Sequence, residues 1–404
     1  LATLLHDAGK IEAGSDHSIS GEQIARRIGE RLALAGDRVE RLGRLVRHHL
    51  VLPRAARLHD LSAPATIRQV MQEVHDVSTL KMLYLLALAD TCAVGERSYS
   101  NLDLEAMKEL YQRVLIAMTS EETAQVLTDS EKREQLVQRE RARLRRQLRH
   151  PELDDATLHR LCDNLPASYI LNTPLPTIAT HLKFLDQLPD EKLIVDFYED
   201  QRQSLTEMTV IACDDEKPGL LSKICGVVYA AGPEILTAHV FTLRGYSSPA
   251  APSAEGCDIV LDRLHLAANG RALSEAAGAR LAALLREVLL GHRSIEDVLQ
   301  AAGKSTSLGL TPHRIAARND LSDEHTVISV LCDSVPGLLY HVTRALAAID
   351  LDIHTAKITS WGGRAEDAFY VTRRGLDGRS EKISDEAIGQ TLGALREQLR
   401  KPAP

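Results

Sequence analysis

The sequence lacks clustered cysteines. Its six cysteines are scattered along 404 residues, and no two have the CxxC spacing that is typical of structural zinc sites and redox motifs. Several stand in apolar runs, where a free buried thiol is ordinary. We interpret this pattern as typical of a reducing cytoplasm, with no structural zinc.

Long apolar runs and an excess of positive charge are also absent. The apolar stretches fall well short of the ~20 residues that a membrane helix requires, and the first residues resemble a core helix rather than a signal sequence. The net charge of -8 argues against a general nucleic-acid binder, which needs clustered Lys and Arg. We therefore expect a soluble, cytoplasmic protein of roughly two to four domains, with no nucleic-acid and no membrane partner.

The first ninety residues contain a set of metal-ligand side chains. Imidazole and carboxylate groups bind borderline or hard divalent ions, and such ions support the hydrolysis of phosphate esters. The set comprises His6 and Asp7 in LLHDAGK, His17, His48 and His49 in LVRHH, and Asp90 in LLALADT. We interpret the chain first as a metal-dependent hydrolase.

Residues 1–125 show helical periodicity throughout. A predicted helix over 39–50 leaves His48 and His49 near its C-terminal end, and a nearly all-apolar helix over 79–93 places Asp90 on a buried helix. Adjacent residues on a helix diverge by about a third of a turn, so only one of the two histidines readily faces a metal. We slightly prefer His48. The charged tract 129–149 predicts a solvated connecting helix.

After about residue 205 a β-α-β-β-α order occurs twice, which predicts two copies of one module. The first copy has strands over 208–213, 235–243 and 257–261 and helices over 219–231 and 273–290, with 313–318 as a candidate closing strand. The second copy has strands over 326–332, 353–359 and 368–372 and helices over 337–348 and 385–399.

The repeat is also visible in the residues, because 215–232 aligns with 333–350 and both segments share Asp and Pro-Gly-Leu-Leu. The proline stiffens the strand-to-helix turn, and the glycine lets a ligand approach a helix N-terminus, whose free N–H groups favour a carboxylate. We therefore predict an amino-acid pocket at each corner. The candidate effector-binding residues are Asp215, Gly219, Leu220, Asp333, Gly337 and Leu338.

These motifs resemble two known families. The His-Asp pair with Asp90 resembles the HD superfamily of metal-dependent phosphohydrolases, and the PGLL modules resemble ACT domains, which are small βαββαβ sensors of amino acids. From HDAGK to AKITSWGGRAEDAFYVTRRG, the chain is similar over almost its whole length to the C-terminal two-thirds of the bifunctional PII uridylyltransferase/uridylyl-removing enzyme family.

The resemblance implies a multidomain fold, with an all-α HD-type domain followed by two α+β, ferredoxin-like ACT domains. We expect the HD domain over 1–125, without its N-terminal part, and a helical linker over 126–205. The ACT domains are expected over 206–320 and 324–402. The family carries a nucleotidyltransferase domain ahead of its HD domain, and no such domain is present in this sequence.

The resemblance also implies a function. The family's HD domain removes UMP from a tyrosine of the PII signalling protein, and its ACT domains bind glutamine, which favours removal. By position, His6, Asp7 and Asp90 would be metal ligands, and a further histidine ligand would fall before Leu1. His17, His48 and His49 match positions that hold a second metal or contact the phosphate. Lys10 would neutralise a phosphoryl oxygen.

Cleavage of a tyrosyl phosphodiester requires a hydroxide at neutral pH, and a divalent ion lowers the pKa of its bound water from about 15.7 to about 7. The carboxylate ligands indicate Mg or Mn. Two alternatives stay open: a glutamine sensor whose hydrolytic centre is incomplete, and a guanosine tetraphosphate hydrolase, which is disfavoured because that family has a single ACT module. Exposed sheet edges favour side-by-side packing of the two modules, and the ACT domains could also form a homo-oligomer.

Overall fold

The computed structural model divides into two compact units, Leu1–Lys132 and Arg133–Pro404. The residues that the structure describes are 1–11, 17–61, 63–94, 101–120, 130–148, 155–166, 169–170, 173–200, 204–213, 219–246, 257–306, 308–358, 360–361, 363–375 and 380–400.

The described part of the first unit is helical, as predicted. A 3-10 helix over Ala8–Ile11 follows its first helix. The α-helices are α1 (Ala2–Leu5), α2 (His17–Arg31), α3 (Gly36–Arg47), α4 (Val51–Leu58), α5 (Pro64–Val74), α6 (Val77–Val94) and α7 (Asn101–Thr119).

Apolar stripes hold these helices together. On α3, buried positions recur three or four residues apart, at Val39, Leu42, Leu45 and Val46. On α6 only one face is buried, because Leu80 and Leu83 lie in the core whereas Leu85 is 64% exposed. The prediction that α6 is a buried helix therefore holds for one of its faces only. Asp90, near the end of α6, is partly buried.

The second unit combines helices with an antiparallel sheet, which agrees with the expected α+β composition. Its helices are α8 (Ser130–Gln147, which begins in the first unit), α9 (Asp155–Asn164), α10 (Leu175–Glu191), α11 (Leu220–Ala231), α12 (Glu275–Leu289), α13 (Ile295–Ala301), α14 (Leu338–Ala347) and α15 (Asp385–Arg400). Its strands are β1 (Leu193–Asp200), β2 (Leu205–Cys213), β3 (Glu234–Tyr246), β4 (Cys257–Ala267), β5 (Arg314–Arg318), β6 (Thr326–Asp333), β7 (Leu351–Lys357), β8 (Ser360–Trp361), β9 (Arg364–Arg374) and β10 (Ser380–Glu381).

The strand order β1-β2-β4-β3-β7-β9-β6-β5 contains the predicted repeat twice. The first strand of the first module is β2, and it pairs with β1, which precedes the module in the chain. In the same way β6, the first strand of the second module, pairs with the preceding strand β5. The prediction that 313–318 closes the first module was therefore wrong, because β1 already occupies that place. The strand β1 lies in the segment that we predicted to be a helical linker, so that prediction missed it. The domain limits stay predictions.

The two halves of the sheet join edge to edge through β3 and β7. Ala238 lies opposite Ala356, with Thr237 opposite Lys357 and His239 opposite Thr355. The predicted side-by-side packing of the two modules is therefore confirmed within one chain. Pairing of the two inner edges satisfies backbone groups that would otherwise be open to association.

Helices α11, α12, α14 and α15 pack on one face of the sheet, in a core shared by both repeats. On the other face, α8, α9 and α10 form a second core against β1 to β4. The sheet of the first repeat is therefore covered on both faces, which explains why β2 is buried at nearly every position rather than at alternate ones. Among the described residues, no helix is both long and apolar enough to cross a membrane.

Candidate functional site

Four short segments of the first unit bring the predicted ligands together. His6 and Asp7 follow α1, and Lys10 lies in the 3-10 helix. His17 is the first residue of α2, and His49 lies in the turn that follows α3. Asp90 projects from α6. These residues are far apart in the sequence, so the site depends on the packing of the helices.

Gly9 sets the distance between the 3-10 helix and α2. A Cβ at this position would overlap the backbone carbonyl oxygen of His17 and would lie 2.6 Å from the backbone nitrogen of Gly21. A residue larger than glycine would push the two segments apart. The close approach holds the His17 ring near Asp7.

Asp7 is the centre of the cluster, and its two carboxylate oxygens face different partners. Oδ1 lies 3.7 Å from Nε2 of His17 and 3.9 Å from Nε2 of His49. Oδ2 lies 3.4 Å from Nε2 of His6 and accepts a 2.7 Å hydrogen bond from Nζ of Lys10. One carboxylate thus stands between two groups of donors.

Hydrogen bonds to the backbone orient two of the imidazoles. Nδ1 of His6 donates to the carbonyl oxygen of Thr3 at 2.9 Å, and Nδ1 of His49 donates to the carbonyl oxygen of Val46 at 2.7 Å. A proton held on Nδ1 leaves Nε2 with a free lone pair, which is the form that binds a metal. Both Nε2 atoms face Asp7.

Nε2 of His6 is buried and makes no hydrogen bond to the residues that the structure describes. It lies 3.3 Å from Oδ1 of Asp90. Burying a ring nitrogen whose lone pair has no partner costs free energy of folding. A cation bound between His6, Asp7 and Asp90 would accept that lone pair.

The other side of Asp7 also fits a metal ion. One ligand atom each from Asp7, His17 and His49 lie within 4.8 Å of one another. Two neutral imidazoles and one carboxylate suit a borderline divalent ion. The four predicted metal ligands, His6, Asp7, His17 and Asp90, therefore meet around one carboxylate, and His49 joins them.

The charges of the cluster favour metal binding. Burial by itself raises the pKa of Asp7, but the hydrogen bond from Lys10 and the positive charge around the carboxylate outweigh it, so the pKa lies below its ordinary value. Burial lowers the pKa of His49 below its ordinary value. The carboxylate is thus ionised and the imidazole neutral at neutral pH, as metal coordination requires.

His48 points elsewhere. Its Nδ1 lies 3.7 Å from Oε2 of Glu73 on α5, and the contact holds the pKa of Glu73 below its ordinary value. The geometry favours His49 over His48, because α3 ends at Arg47 and the following turn directs the two rings to different neighbours. Sequence reasoning missed Glu73, which no motif marks.

The burial of the site decreases from His49 to Lys10. The side chain of His49 is 3% exposed, whereas that of Lys10 is 62% exposed. A phosphate can therefore approach from the Lys10 side, where a positive charge meets it. The role of Lys10 towards a phosphate stays a prediction.

The two predicted effector corners have the expected backbone. Gly219 and Gly337 immediately precede α11 and α14 and have φ values of +145° and +80°, which favour glycine. Leu220 and Leu338 are buried. Asp215 lies outside the described residues.

Asp333 ends β6 and is exposed, and its Oδ1 accepts a 2.9 Å hydrogen bond from Nε2 of His313. It is therefore tied to the segment that leads into β5. This contact was not predicted from the sequence.

A cavity of about 40 Å³ lies between the two repeats at the first corner. Gly219 and Ser222 line it from the first repeat, and Ala347 and Asp352 from the second. Asp262 of β4, which is 0% exposed, also lines it. Sequence reasoning missed Asp262, although a charged residue inside the apolar run of β4 was a usable signal.

The chain is similar to known proteins over nearly its whole length. It is 32% identical over 406 residues to the bifunctional uridylyltransferase/uridylyl-removing enzyme of Azospirillum brasilense, and the match covers 99% of this chain and 40% of that enzyme. The chain is homologous to part of these enzymes. The resemblance predicted from the motifs is confirmed.

Bifunctional uridylyltransferase/uridylyl-removing enzymes of other organisms match in the same way. That of Rhodospirillum rubrum is 32% identical over 377 residues, covering 92% of the chain and 38% of the enzyme. That of Gluconobacter oxydans is 31% identical over 409 residues, covering 99% and 40%. The chain thus spans about two-fifths of the length of these relatives. No protein-family model matches the chain, and no solved structure matches it.

Proposed function

We propose that the first unit is an HD-type, metal-dependent phosphodiesterase that removes UMP from the uridylylated tyrosine of PII. The observation that carries this proposal is the position of Asp7 between two groups of ligands. His6, which also contacts Asp90, lies on the Oδ2 side, and His17 and His49 lie on the Oδ1 side. These residues would hold a divalent ion beside Asp7.

Mg or Mn fits these donors. When bound, a divalent ion supplies Lewis-acid activation of water and of the phosphoryl group. The protein's own residues orient the ligands, because the backbone carbonyls of Thr3 and Val46 hold two imidazoles in the metal-binding tautomer. The buried side of the cluster keeps bulk water away from His49.

Hydrolysis breaks the bond between the tyrosine oxygen and phosphorus and forms a new bond from phosphorus to a water oxygen. The exposed Lys10 would offset the negative charge that develops on the phosphoryl oxygens. The leaving group is a tyrosine phenolate with an ordinary pKa of roughly 10, so it needs little acid assistance. The water's proton passes to solvent or to the phenolate.

We also propose that the second unit consists of two ACT modules that sense glutamine and that glutamine promotes UMP removal. The support is the doubled strand-Gly-helix corner, with a cavity between the repeats at the first corner. Helix N-termini at Gly219 and Gly337 suit a carboxylate. The names of the relatives support a uridylyl-removal reaction, and the resemblance to the family implies PII as the partner.

The experiment is release of UMP from uridylylated PII by this chain in Mn²⁺. We expect metal-dependent release that is lost on chelation and in Asp7→Asn, which keeps the shape of the side chain but removes its negative charge. Glu73→Gln is the matched control, because Glu73 contacts His48 rather than the cluster. A folded, Mn-loaded protein that releases no UMP, yet binds glutamine, would instead support the sensor alternative.

A further inference from the structure

The two repeats are related by a local twofold arrangement. The paired strands β3 and β7 cross at Ala238 and Ala356, with Thr237 and Thr355 in matching places on the two sides. Ala356 follows Ala238 by 118 positions, and Gly337 follows Gly219 by the same interval. Residues separated by this interval in α11 and α14 are therefore structural counterparts.

At the second corner, a tyrosine from the other repeat fills the space beside the glycine. A Cβ on Gly337 would lie 2.6 Å from two ring atoms of Tyr229, which α11 contributes. The Tyr229 ring also covers His341, at 6.4 Å between centroids. His341 is 3% exposed, and neither of its ring nitrogens makes a hydrogen bond within the described part of the chain.

At the first corner, the counterpart of Tyr229 is Ala347, and the space is open. Ala347 and Gly219 line the cavity of about 40 Å³. The nearest atom to a Cβ on Gly219 would be Oγ of Ser222, at 4.0 Å. The replacement of a ring by a methyl group accounts for the difference between the two corners.

The first corner also carries the polar groups that an amino acid requires. The N-terminus of α11 offers backbone N–H groups to a carboxylate, and the carboxyl group of the buried Asp262 lines the same cavity. A cavity of 40 Å³ holds roughly three water-sized groups, which is the scale of the ammonium and carboxylate end of an amino acid.

We propose that Tyr229 closes the second corner, so that the chain binds one amino-acid effector, in the cavity between Gly219 and Ala347. This inference rests on the proposed glutamine-sensing function and assigns it to one of two similar corners. Tyr229 is a specificity-determining residue, and the repeats are unequal because one position in the twofold pair differs.

The first test is the stoichiometry of L-glutamine binding to the full chain, measured by titration calorimetry. We expect one glutamine per chain for the wild type and for Tyr229→Phe, which keeps the ring. We expect two for Tyr229→Ala, which opens the second corner beside His341. Two sites in the wild type, or one site in a folded Tyr229→Ala protein, would overturn the inference while leaving glutamine sensing intact.

The second test fills the first corner. Ala347→Tyr places a ring where Tyr229 stands in the other half, and we expect the affinity for glutamine to fall at least about tenfold. Ala347→Leu fills less of the space and serves if the tyrosine variant does not fold, as judged by circular dichroism. Unchanged affinity in both folded variants would refute the assigned position. No binding to the wild type would instead contradict the proposed glutamine function, and the inference with it.

Discussion

Individual residues of the metal cluster differ in how far the sequence predicts them. The residue types of His6, Asp7 and Asp90 indicated side chains that could share one site, and the structure brings them together. Their role as metal ligands stays a prediction. The choice between His48 and His49 was not predictable. It depends on α3 ending at Arg47, and helix ends are weakly encoded when no capping side chain is present.

At this scale we predict that His49→Ala lowers the affinity for Mn²⁺ at least about tenfold, because the imidazole faces Asp7 directly. His48→Ala, its neighbour in the sequence, should change the affinity by less than about twofold, since its partner is Glu73. Titration calorimetry with Mn²⁺ compares the two variants. Equal losses in both, or a larger loss in His48→Ala, would contradict the placement of His49 in the cluster.

Among the elements, the helices and most strands follow from periodicity and from the Pro-Gly corner. The pairing of β5 with β6 does not follow from these patterns. Either a strand that precedes the module or a strand that follows it can pair antiparallel with the module's first strand. The sequence pattern does not decide which of the two strands does so. The structure uses the preceding strand both times, as β1 and as β5. The contact at Gly9 is also hidden in the sequence, because it depends on how α2 packs.

The packing of the 3-10 helix on α2 leads to a prediction for Gly9→Ala. The added methyl group would overlap the carbonyl of His17, so the segments must move apart, at a cost of about 1 to 3 kcal/mol. Affinity for Mn²⁺ should fall together with the free energy of unfolding. Gly36→Ala is the matched control, because a Cβ there meets nothing within 4 Å. If Gly9→Ala kept the stability and the Mn²⁺ affinity of the wild type, the close contact between the 3-10 helix and α2 would not be needed for the metal site.

For the whole molecule, the repeat was predictable because shared residues mark it, and the joining of the two sheets followed from their exposed edges. The inequality of the two corners was not predictable from the motif, since both carry the same Pro-Gly-Leu-Leu. It arises from Tyr229 and Ala347, which lie outside the motif and contact the opposite repeat.

The continuous sheet predicts a pattern of amide hydrogen exchange. The amides of β3 and β7 that pair across the junction, near Ala238 and Ala356, should exchange as slowly as those of the inner strands. The outward-facing amides of β1 and β5, which are the outer strands of the described sheet order, serve as the internal comparison and should exchange faster. Fast exchange at both Ala238 and Ala356 would mean that the two modules separate in solution.

We propose that one unit hydrolyses a uridylyl-tyrosine bond and that the other regulates this hydrolysis through glutamine. The most direct measurement is the rate of UMP release from uridylylated PII in Mn²⁺, with and without glutamine, for the wild type and Ala347→Tyr. We predict that glutamine raises the wild-type rate and leaves the rate of the folded variant unchanged. If the wild type released UMP in a metal-dependent manner at a rate that glutamine does not change, the proposed regulation would be contradicted. If a folded, Mn-loaded chain released no UMP, the proposed catalytic activity would be contradicted.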